Sequence, residues 1–199
     1  MKKSIAILLV FTFVYSVQSC KKKPKEKQIE FSIDANKTTI NWTAFKTSSK
    51  VPVKGKFTQL TIETPHKASN IKEALNSTSF SIPVSSLFSN NPDRDNKLKT
   101  LFFGIMKNTS LLSGTLMITN DTSGYVDLTM NGITEKLPFA YTIDGEVVSI
   151  KTIMNTDTWQ AQAALNSLNE ACFELHKGAD GVSKTWSDVA IDIQVYFKS

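Results

Sequence analysis

The sequence predicts a mainly all-β domain: an antiparallel barrel or sandwich that carries two amphipathic helices. Three observations support this fold class. Apolar and polar residues alternate in eight or nine separate segments, which is the pattern of strands with one face in a core and one in water. Turn-forming residues separate those segments. Two other segments place their apolar residues at helical spacing instead.

The length of the chain favours one domain. The sequence has 199 residues, of which 41% are hydrophobic and 10% aromatic. A domain typically takes roughly 100–200 residues, and this composition is apolar enough to bury a core. We therefore expect a single folded domain over residues 29–199, preceded by an N-terminal segment of different character.

Residues 1–19 have the features of a bacterial export signal. Two lysines follow the initial methionine, and residues 5–15 form an apolar stretch that is short for a membrane span. Ser19 then precedes Cys20, and a small residue before a cysteine resembles the lipobox of bacterial lipoproteins. We expect cleavage after Ser19 and lipid attachment at Cys20. The alternative is an ordinary secretory signal with a chance cysteine.

Residues 20–28 are predicted to be a lysine-rich tether. The segment holds five lysines, one proline and almost nothing apolar, which is the composition of a solvated spacer. Its lysines can also attract anionic headgroups at about 1 kcal/mol each. The expected location is the bacterial cell envelope, with an N-terminal acyl anchor in a membrane and the domain facing the periplasm or the cell surface.

The positive charge of the chain lies almost wholly in this N-terminal region. The formal net charge is +5, yet residues 29–199 contain 16 basic and 17 acidic residues. Nucleic-acid binding needs a basic patch or stripe on the domain, and the lysines of this domain are scattered. We therefore exclude nucleic acid as a partner. The expected oligomeric state is a monomer or a homodimer.

The predicted strands follow one another with short turns between them. Asn131-Gly132 and Asp144-Gly145 are among the strongest hairpin signals. Such a series in about 170 residues is typical of an up-and-down barrel or a sandwich. In chain order the alternating segments are 29–33, 40–44, 60–62, 80–84, 112–118, 125–130, 137–143, 147–153 and 189–197.

Two helices are predicted as covers over an open end of the barrel. The first begins at Pro92, where proline suits the first turn of a helix. The second follows Thr156 and ends before Gly178. The apolar face of the first is predicted to hold Leu98, Leu101, Phe102 and Ile105, and that of the second Ala164, Leu165, Leu168, Cys172 and Leu175.

No pattern in the sequence points to catalysis or to a metal site. The nucleophile-elbow, zinc-protease, Walker and dinucleotide motifs are absent. The two histidines are far apart, and His176 is expected to interact with a helix C-terminal dipole. Asp93 and Asp95 are interpreted as complements to the first helix's dipole, not as an acid pair. Cys172 is predicted to be a small core residue.

Arg94 and the aromatic residues are the candidates for binding. Arg94 is the one arginine among 23 basic residues, so it either binds a ligand headgroup or clamps the start of the helix. Twelve phenylalanines and three tryptophans either fill a barrel or surround an apolar ligand within it. The residue pattern leaves both alternatives open.

Five ordered motifs resemble the YceI-like family. The resemblance implies a lipocalin-like antiparallel β-barrel over about residues 29–197, exported and non-catalytic, with an isoprenoid, a quinone-like lipid or another amphiphile in its cavity. Residues 156–187 depart from the family pattern as a helical insertion, similar to a subgroup of Bacteroidota lipoproteins. The motifs are Phe31-Ser-Ile-Asp34 with Ile40-Asn-Trp42, Val53-Lys-Gly55-Lys-Phe57, Asp93-Arg94-Asp95-x-x-Leu98, Leu101-Phe102-Phe103, and Leu128-Thr-Met-Asn-Gly132-Ile-Thr134.

The strand alternation and the resemblance together predict a set of ligand-binding residues. Lipid binding in a hollow barrel is the first hypothesis, and a filled barrel with a structural or adhesive role is the alternative. Cavity volume separates these two, because several hundred Å³ of apolar space favours lipid binding. An enzyme acting on a lipid is a third hypothesis, and it needs a polar dyad in the pocket. The predicted ligand-binding residues are Trp42, Phe57, Phe80, Ile82, Arg94, Leu98, Phe102 and Phe139.

Overall fold

The computed structural model describes residues 30–63 and 68–199. The predicted signal, the lipid-attachment residue Cys20, the tether and His66 lie outside the described residues. The strands are β1 (Ser32–Ile33), β2 (Thr39–Lys46), β3 (Val51–Phe57), β4 (Thr61–Ile62), β5 (Ser79–Pro83), β6 (Leu87–Phe88), β7 (Leu111–Ile118), β8 (Ser123–Met130), β9 (Ile133–Asp144), β10 (Val147–Asn155) and β11 (Thr185–Lys198).

All of these strands belong to one antiparallel sheet that curls around a single apolar interior. The order along the sheet is β4-β5-β7-β8-β9-β10-β11-β2-β3-β6, and β1 pairs with the end of β11. The inward side chains form one continuous hydrophobic core. The prediction of an antiparallel barrel with helices is confirmed, and a two-sheet sandwich is excluded by the continuous order.

One segment of chain connects the two edges of the sheet. β5 pairs with β7, and after a 3₁₀ turn at Val84–Ser86 the chain continues as β6, which pairs with β3. The backbone N–H of Thr58 also donates to the carbonyl of Ser86 over 3.0 Å. Ser79–Phe88, here called the bridging segment, therefore holds the first and last parts of the sheet together.

The hairpin turns follow the predicted sequence signals. Asn131 and Gly132 both have positive φ, as a type I′ turn requires, and they join β8 to β9. The Asn131 side chain accepts from the backbone of Lys107 and donates to the carbonyl of Trp159, each over 2.8 Å. This turn consequently connects the sheet to the segments that cover its end.

Helical segments cover both ends of the barrel. The helices are α1 (Ile71–Leu75), α2 (Pro92–Lys97), α3 (Gln162–Ala171) and α4 (Phe173–His176). At one end α1 packs against β1 and β7. At the other, called the lid end, α3 packs against a π-helical turn at Leu98–Phe102 that continues α2. The expectation that two helices cover an open end therefore agrees with the fold.

Two residues predicted on apolar helix faces are exposed instead. Ile105 is 50% exposed and Leu175 is 61% exposed. The helical spacing predicts a straight α-helix around each of these residues. After α2, however, the helix changes to π and then to 3₁₀ geometry. This change rotates the side chains that follow, including Ile105. The second is interrupted at Cys172, whose backbone is not helical. Cys172 itself is buried, as predicted.

His176 lies in the last turn of α4, at a helix end as predicted, but its surroundings disfavour a charged imidazole. Its Nδ1 lies 2.7 Å from the hydroxyl of Thr185. Burial, followed by the positive charges of Lys46 and Lys97, lowers the pKa of His176 below its usual value. These effects oppose the protonated form that a helix C-terminal dipole would favour.

No helix within the described ranges is long and apolar enough to cross a membrane.

The lowered pKa of His176 predicts that acid destabilises the fold. The unfolded chain binds a proton at His176 near pH 6.5, whereas the folded chain resists it, so the free energy of unfolding falls as the pH drops below about 6.5. His176→Gln removes this contribution. Urea unfolding at pH 7.5 and at pH 5.5 should show a smaller loss of stability in the variant than in the wild type, and equal losses would contradict the argument.

Candidate ligand-binding cavity

The inside of the barrel contains a cavity of about 200 Å³. It extends along the barrel interior, from Ile33 near the α1 end to Leu165 and Leu168 of α3 at the lid end. Along β11 the lining runs from Thr185 to Val195, which at about 3.3 Å per residue is roughly 33 Å of strand. Because barrel strands are tilted by about 35–45° to the barrel axis, this strand spans roughly 25 Å along the axis, and a small volume spread over that distance makes the cavity narrow.

The lining contains no charged side chain among the described residues. Four threonines and the indole groups of two tryptophans are its only side chains with hydrogen-bonding groups. The threonines are Thr38, Thr152, Thr156 and Thr185. The volume is below the several hundred Å³ that would favour lipid binding over a filled barrel, but cavities near 150 Å³ already hold small apolar molecules. The site therefore suits a slender apolar molecule.

The structure brings together seven of the eight residues predicted to bind the ligand. The seven line the cavity, so the inward direction derived from strand alternation is correct for the five strand residues, and the apolar face predicted for the first helix is correct for Leu98 and Phe102. Their role in binding stays a prediction. The seven are Trp42, Phe57, Phe80, Ile82, Leu98, Phe102 and Phe139.

Arg94, the eighth residue, is not part of the lining. It lies in α2, where its backbone N–H donates to the side chain of Asn91, the N-cap, over 3.0 Å. Its neighbour Asp95 is buried, and one carboxylate oxygen accepts from both the backbone and the hydroxyl of Ser89. Asp95 thus holds the start of α2 in place. This role is more specific than the predicted interaction of its charge with the helix dipole.

The packing of Trp42 on Gly55 shapes the middle of the cavity. The two residues are paired directly across β2 and β3. A Cβ atom on residue 55 would lie only 2.1 Å from Cζ2 of the indole. Only glycine leaves room here, because any side chain would overlap the ring. The ring is 7% exposed, so it is held against the β3 backbone inside the barrel.

Two polar atoms of the lining lack a hydrogen bond. Nε1 of Trp42 and Oγ1 of Thr156 are buried and have no partner in the part of the chain that the structure describes. Buried polar groups are normally paired, so each unpaired one needs an explanation. Both belong to residues that line the cavity.

Sequence reasoning missed several lining residues at the lid end. Thr156 continues the inward alternation of Ile150, Thr152 and Met154 beyond the predicted end of the strand at 153, so a longer period-2 window would have found it. Phe103 and Trp186 also line the cavity. Their positions depend on the π turn and on the irregular pairing at the start of β11, which leave no simple signal in the sequence.

A second depression lies on the outer face of the sheet. Its volume of about 460 Å³ is larger, but it is open to solvent and is lined by residues of β2, β10 and β11. The ion pair between Lys151 and Asp192, 3.8 Å apart, crosses it. The inner cavity is the stronger candidate site because its lining is almost wholly apolar, as is typical of small-molecule pockets, whereas this depression carries an ion pair.

The described residues contain no cluster of three or more histidine, cysteine or carboxylate side chains that could hold a metal ion. The cavity lining itself includes no histidine, cysteine, lysine or carboxylate side chain. This arrangement offers apolar contact surface and a few hydrogen bonds, without an acid or a base beside the enclosed space.

The contact between Trp42 and Gly55 predicts the effect of a single methyl group. Gly55→Ala should lower the free energy of unfolding by about 2 kcal/mol, because the new Cβ overlaps the indole. Urea denaturation measures this loss. In a Trp42→Phe background the ring atom concerned is missing, so the same substitution should cost much less. An equal cost in both backgrounds would show that the overlap is not the cause.

Comparison with known proteins places the fold. The polyisoprenoid binding domain from Saccharophagus degradans has a TM-score of 0.59 at 12% identity, covering 85% of this chain and 98% of that one. BcnA of Burkholderia cenocepacia has a TM-score of 0.51 at 12% identity, and the match covers 84% of this chain and 99% of BcnA. The YCEI protein of Campylobacter jejuni has a TM-score of 0.51 at 14% identity, and the match covers 96% of this chain and 99% of that one.

At these identities the likeness to solved structures establishes the shared fold. No curated protein matches the sequence. Residues 31–197, most of the chain, match the YceI-like domain. The chain therefore belongs to the YceI-like family.

Proposed function

We propose that this protein binds an isoprenoid or another amphiphilic lipid in the barrel cavity. The observation that carries the proposal is the uncharged, almost wholly apolar lining along the inside of the barrel. Burying an apolar chain there gains about 25 cal/mol for each Å² removed from water. Storage, transport or sequestration of a lipid needs no further chemistry.

The shape of the cavity supports a long, thin ligand. A volume of about 200 Å³ spread over roughly 25 Å of barrel length suits a single extended chain better than a compact ring system. The related domain from Saccharophagus degradans is described as binding a polyisoprenoid. A linear isoprenoid is therefore the first candidate, and a quinone-like lipid with such a tail is the second.

We further propose that the protein is a lipoprotein of the bacterial cell envelope. The support is the N-terminal sequence: an apolar stretch, Ser19 before Cys20, and a lysine-rich tether. An acyl anchor holds the protein on a membrane without crossing it, and more than one chain is needed for stable attachment. The barrel then faces the periplasm or the cell surface.

The proposal assigns no catalytic step. Its support is the chemistry of the lining, where threonine hydroxyls and indole groups are the polar groups present. General acid–base catalysis needs a titratable side chain within hydrogen-bond reach of the reacting atoms. A lipid that enters this cavity meets apolar carbon and a few hydrogen-bonding groups.

One alternative has an observation in its favour. The cavity is smaller than the 300–1,000 Å³ that is typical, as an approximate range, of ligand pockets. A structural or adhesive lipoprotein with a nearly filled barrel would have such an interior. The two functions differ in one measurable property, which is whether a lipid occupies the barrel.

Organic extraction of protein purified from its native host, followed by mass spectrometry, should recover a long-chain lipid in near-stoichiometric amount. Ala44 lines the cavity, so Ala44→Phe should lower the recovered lipid by at least about tenfold, a change of about 1.4 kcal/mol in binding free energy.

The matched control is Ala140→Phe, which makes the same change at an exposed position on β9. This variant should retain the wild-type amount of lipid. If no lipid is recovered from the wild type, and if Ala44→Phe lowers the free energy of unfolding because the phenylalanine overpacks the interior, the filled-barrel function is correct instead.

The proposed anchor predicts the effect of changing Cys20. Cys20→Ser should abolish acylation, because the serine hydroxyl does not replace the thiol in lipoprotein processing. Membrane fractionation should then move the protein from the membrane pellet to the soluble fraction, and metabolic labelling with a fatty acid should be lost. Cys172→Ser is the matched control and should stay in the membrane pellet. Continued labelling of the Cys20 variant would refute the anchor.

A further inference from the structure

We propose that the lipid in the cavity carries an anionic headgroup, a carboxylate or a phosphate, and that Lys50 and Lys184 hold this group beside Trp186. This inference rests on the proposed lipid binding and deepens it by naming the class of ligand, a single-chain anionic amphiphile. It also gives the ligand a direction, because the headgroup lies at the lid end and the tail extends through the barrel toward α1.

Trp186 belongs both to the cavity wall and to the protein surface. Its side chain is part of the lining. The centroid of its ring lies 3.5 Å from Nζ of Lys184 and 4.2 Å from Nζ of Lys50. Lys184 is exposed, and the side chain of Lys50 is 44% exposed. One aromatic ring therefore separates the apolar lining from two lysine side chains that water can reach.

Among the rings of the described residues that contact a lysine ammonium group, Trp186 is distinct in two ways. It contacts two lysines, and it lines the cavity. Each of the other rings contacts one lysine and lies outside the lining. Two positive charges are consequently placed where the uncharged cavity ends. The other rings are Phe45, Phe88, Tyr125 and Phe173.

An irregularity in β11 gives Trp186 this position. From Thr185 to Val189 the strand advances four residues, whereas the paired strand β2 advances two, from Lys46 to Ala44. Every second residue of 189–195 lines the cavity, so a regular strand would direct residue 186 outward. The two extra residues break the alternation and let the indole reach the lining. Such bulges are over-represented next to active sites, where they re-aim a side chain.

The backbone of Thr47 fixes the indole and both lysines relative to one another. Its carbonyl accepts from Nε1 of Trp186 over 2.7 Å and from the backbone N–H of Lys50 over 3.2 Å. Its own N–H donates to the carbonyl of Lys184 over 2.9 Å. The hairpin between β2 and β3 and the start of β11 therefore hold the two lysines on the same ring.

The charges of the two lysines are balanced only in part. Lys50 forms an ion pair with Asp188 over 3.1 Å. Lys184 has no ion pair with a carboxylate in the part of the chain that the structure describes. Contact with a ring leaves the charge of an ammonium group in place and its N–H groups able to donate. An anionic headgroup here forms charge-assisted hydrogen bonds, which are stronger than those of a neutral headgroup.

The test compares headgroups on chains of equal length. The probes are dodecyl phosphate, dodecanoate and dodecan-1-ol, each titrated by calorimetry into lipid-free protein at pH 7.5, below the concentration at which micelles form. The wild type should bind each anion about tenfold more tightly than the alcohol, the effect of one charge-assisted hydrogen bond at a partly exposed site. The anion that binds more tightly then identifies the native headgroup as a phosphate or a carboxylate.

Two double variants locate the effect. Lys50→Met combined with Lys184→Met removes both charges and keeps the apolar stems, so the ratio of anion to alcohol affinity should fall to about one. The matched control is Lys56→Met combined with Lys136→Met, which removes two lysines that lie over rings outside the lining. This control should keep the wild-type ratio. An anion preference that survives the first double substitution overturns the inference, because another basic segment would then be responsible.

A measurement on the wild type does not depend on the folding of any variant. Salt screens charges at exposed sites, so the ratio of anion to alcohol affinity should fall severalfold between about 0.05 M and about 0.5 M sodium chloride, while the affinity for the alcohol changes little. Equal binding of the anions and the alcohol at low salt, or a ratio that salt leaves unchanged, overturns this inference and leaves the lipid-binding proposal intact. Failure of all three probes to bind overturns both.

Discussion

The bridging segment Ser79–Phe88 is the constraint on which the cavity depends. A sheet of ten strands in one order would leave two open edges, and unpaired edges expose both backbone groups and the apolar inner face. Here one strand of the segment pairs near the first edge and the next pairs at the last edge. Enclosure, and with it the removal of a ligand from water, follows from this connection more than from any single side chain of the lining.

The lining combines close packing with incomplete hydrogen bonding. Gly55 lets the indole of Trp42 lie against β3, and this position leaves Nε1 without a partner in the described structure. A sequence selected for stability alone would place a phenylalanine or a leucine there. Local departures from the rules of stability are often found at functional sites. The same reasoning applies to Thr156 at the lid end.

The parts of the fold that depend on local pattern could be predicted from the sequence. The alternation around Trp42 and Phe139 gave the correct inward faces, and Asn131-Gly132 gave the correct turn, because each depends on neighbouring residues only. The exposure of Ile105 and Leu175 could not be predicted, since it arises where helices change geometry. The environment of His176 and the missing partner of Trp42 depend on distant residues that the fold brings together.

The narrow form of the cavity also has a kinetic consequence. A chain that lies along this passage cannot turn around inside it, so it has to leave lengthwise, sliding past the side chains one after another. Each added carbon then increases the number of contacts to be broken in sequence. Residence time should grow with chain length more steeply than the rate of entry falls. For the proposed lipid complex, the length of the bound chain is therefore a determinant of how long the complex lasts.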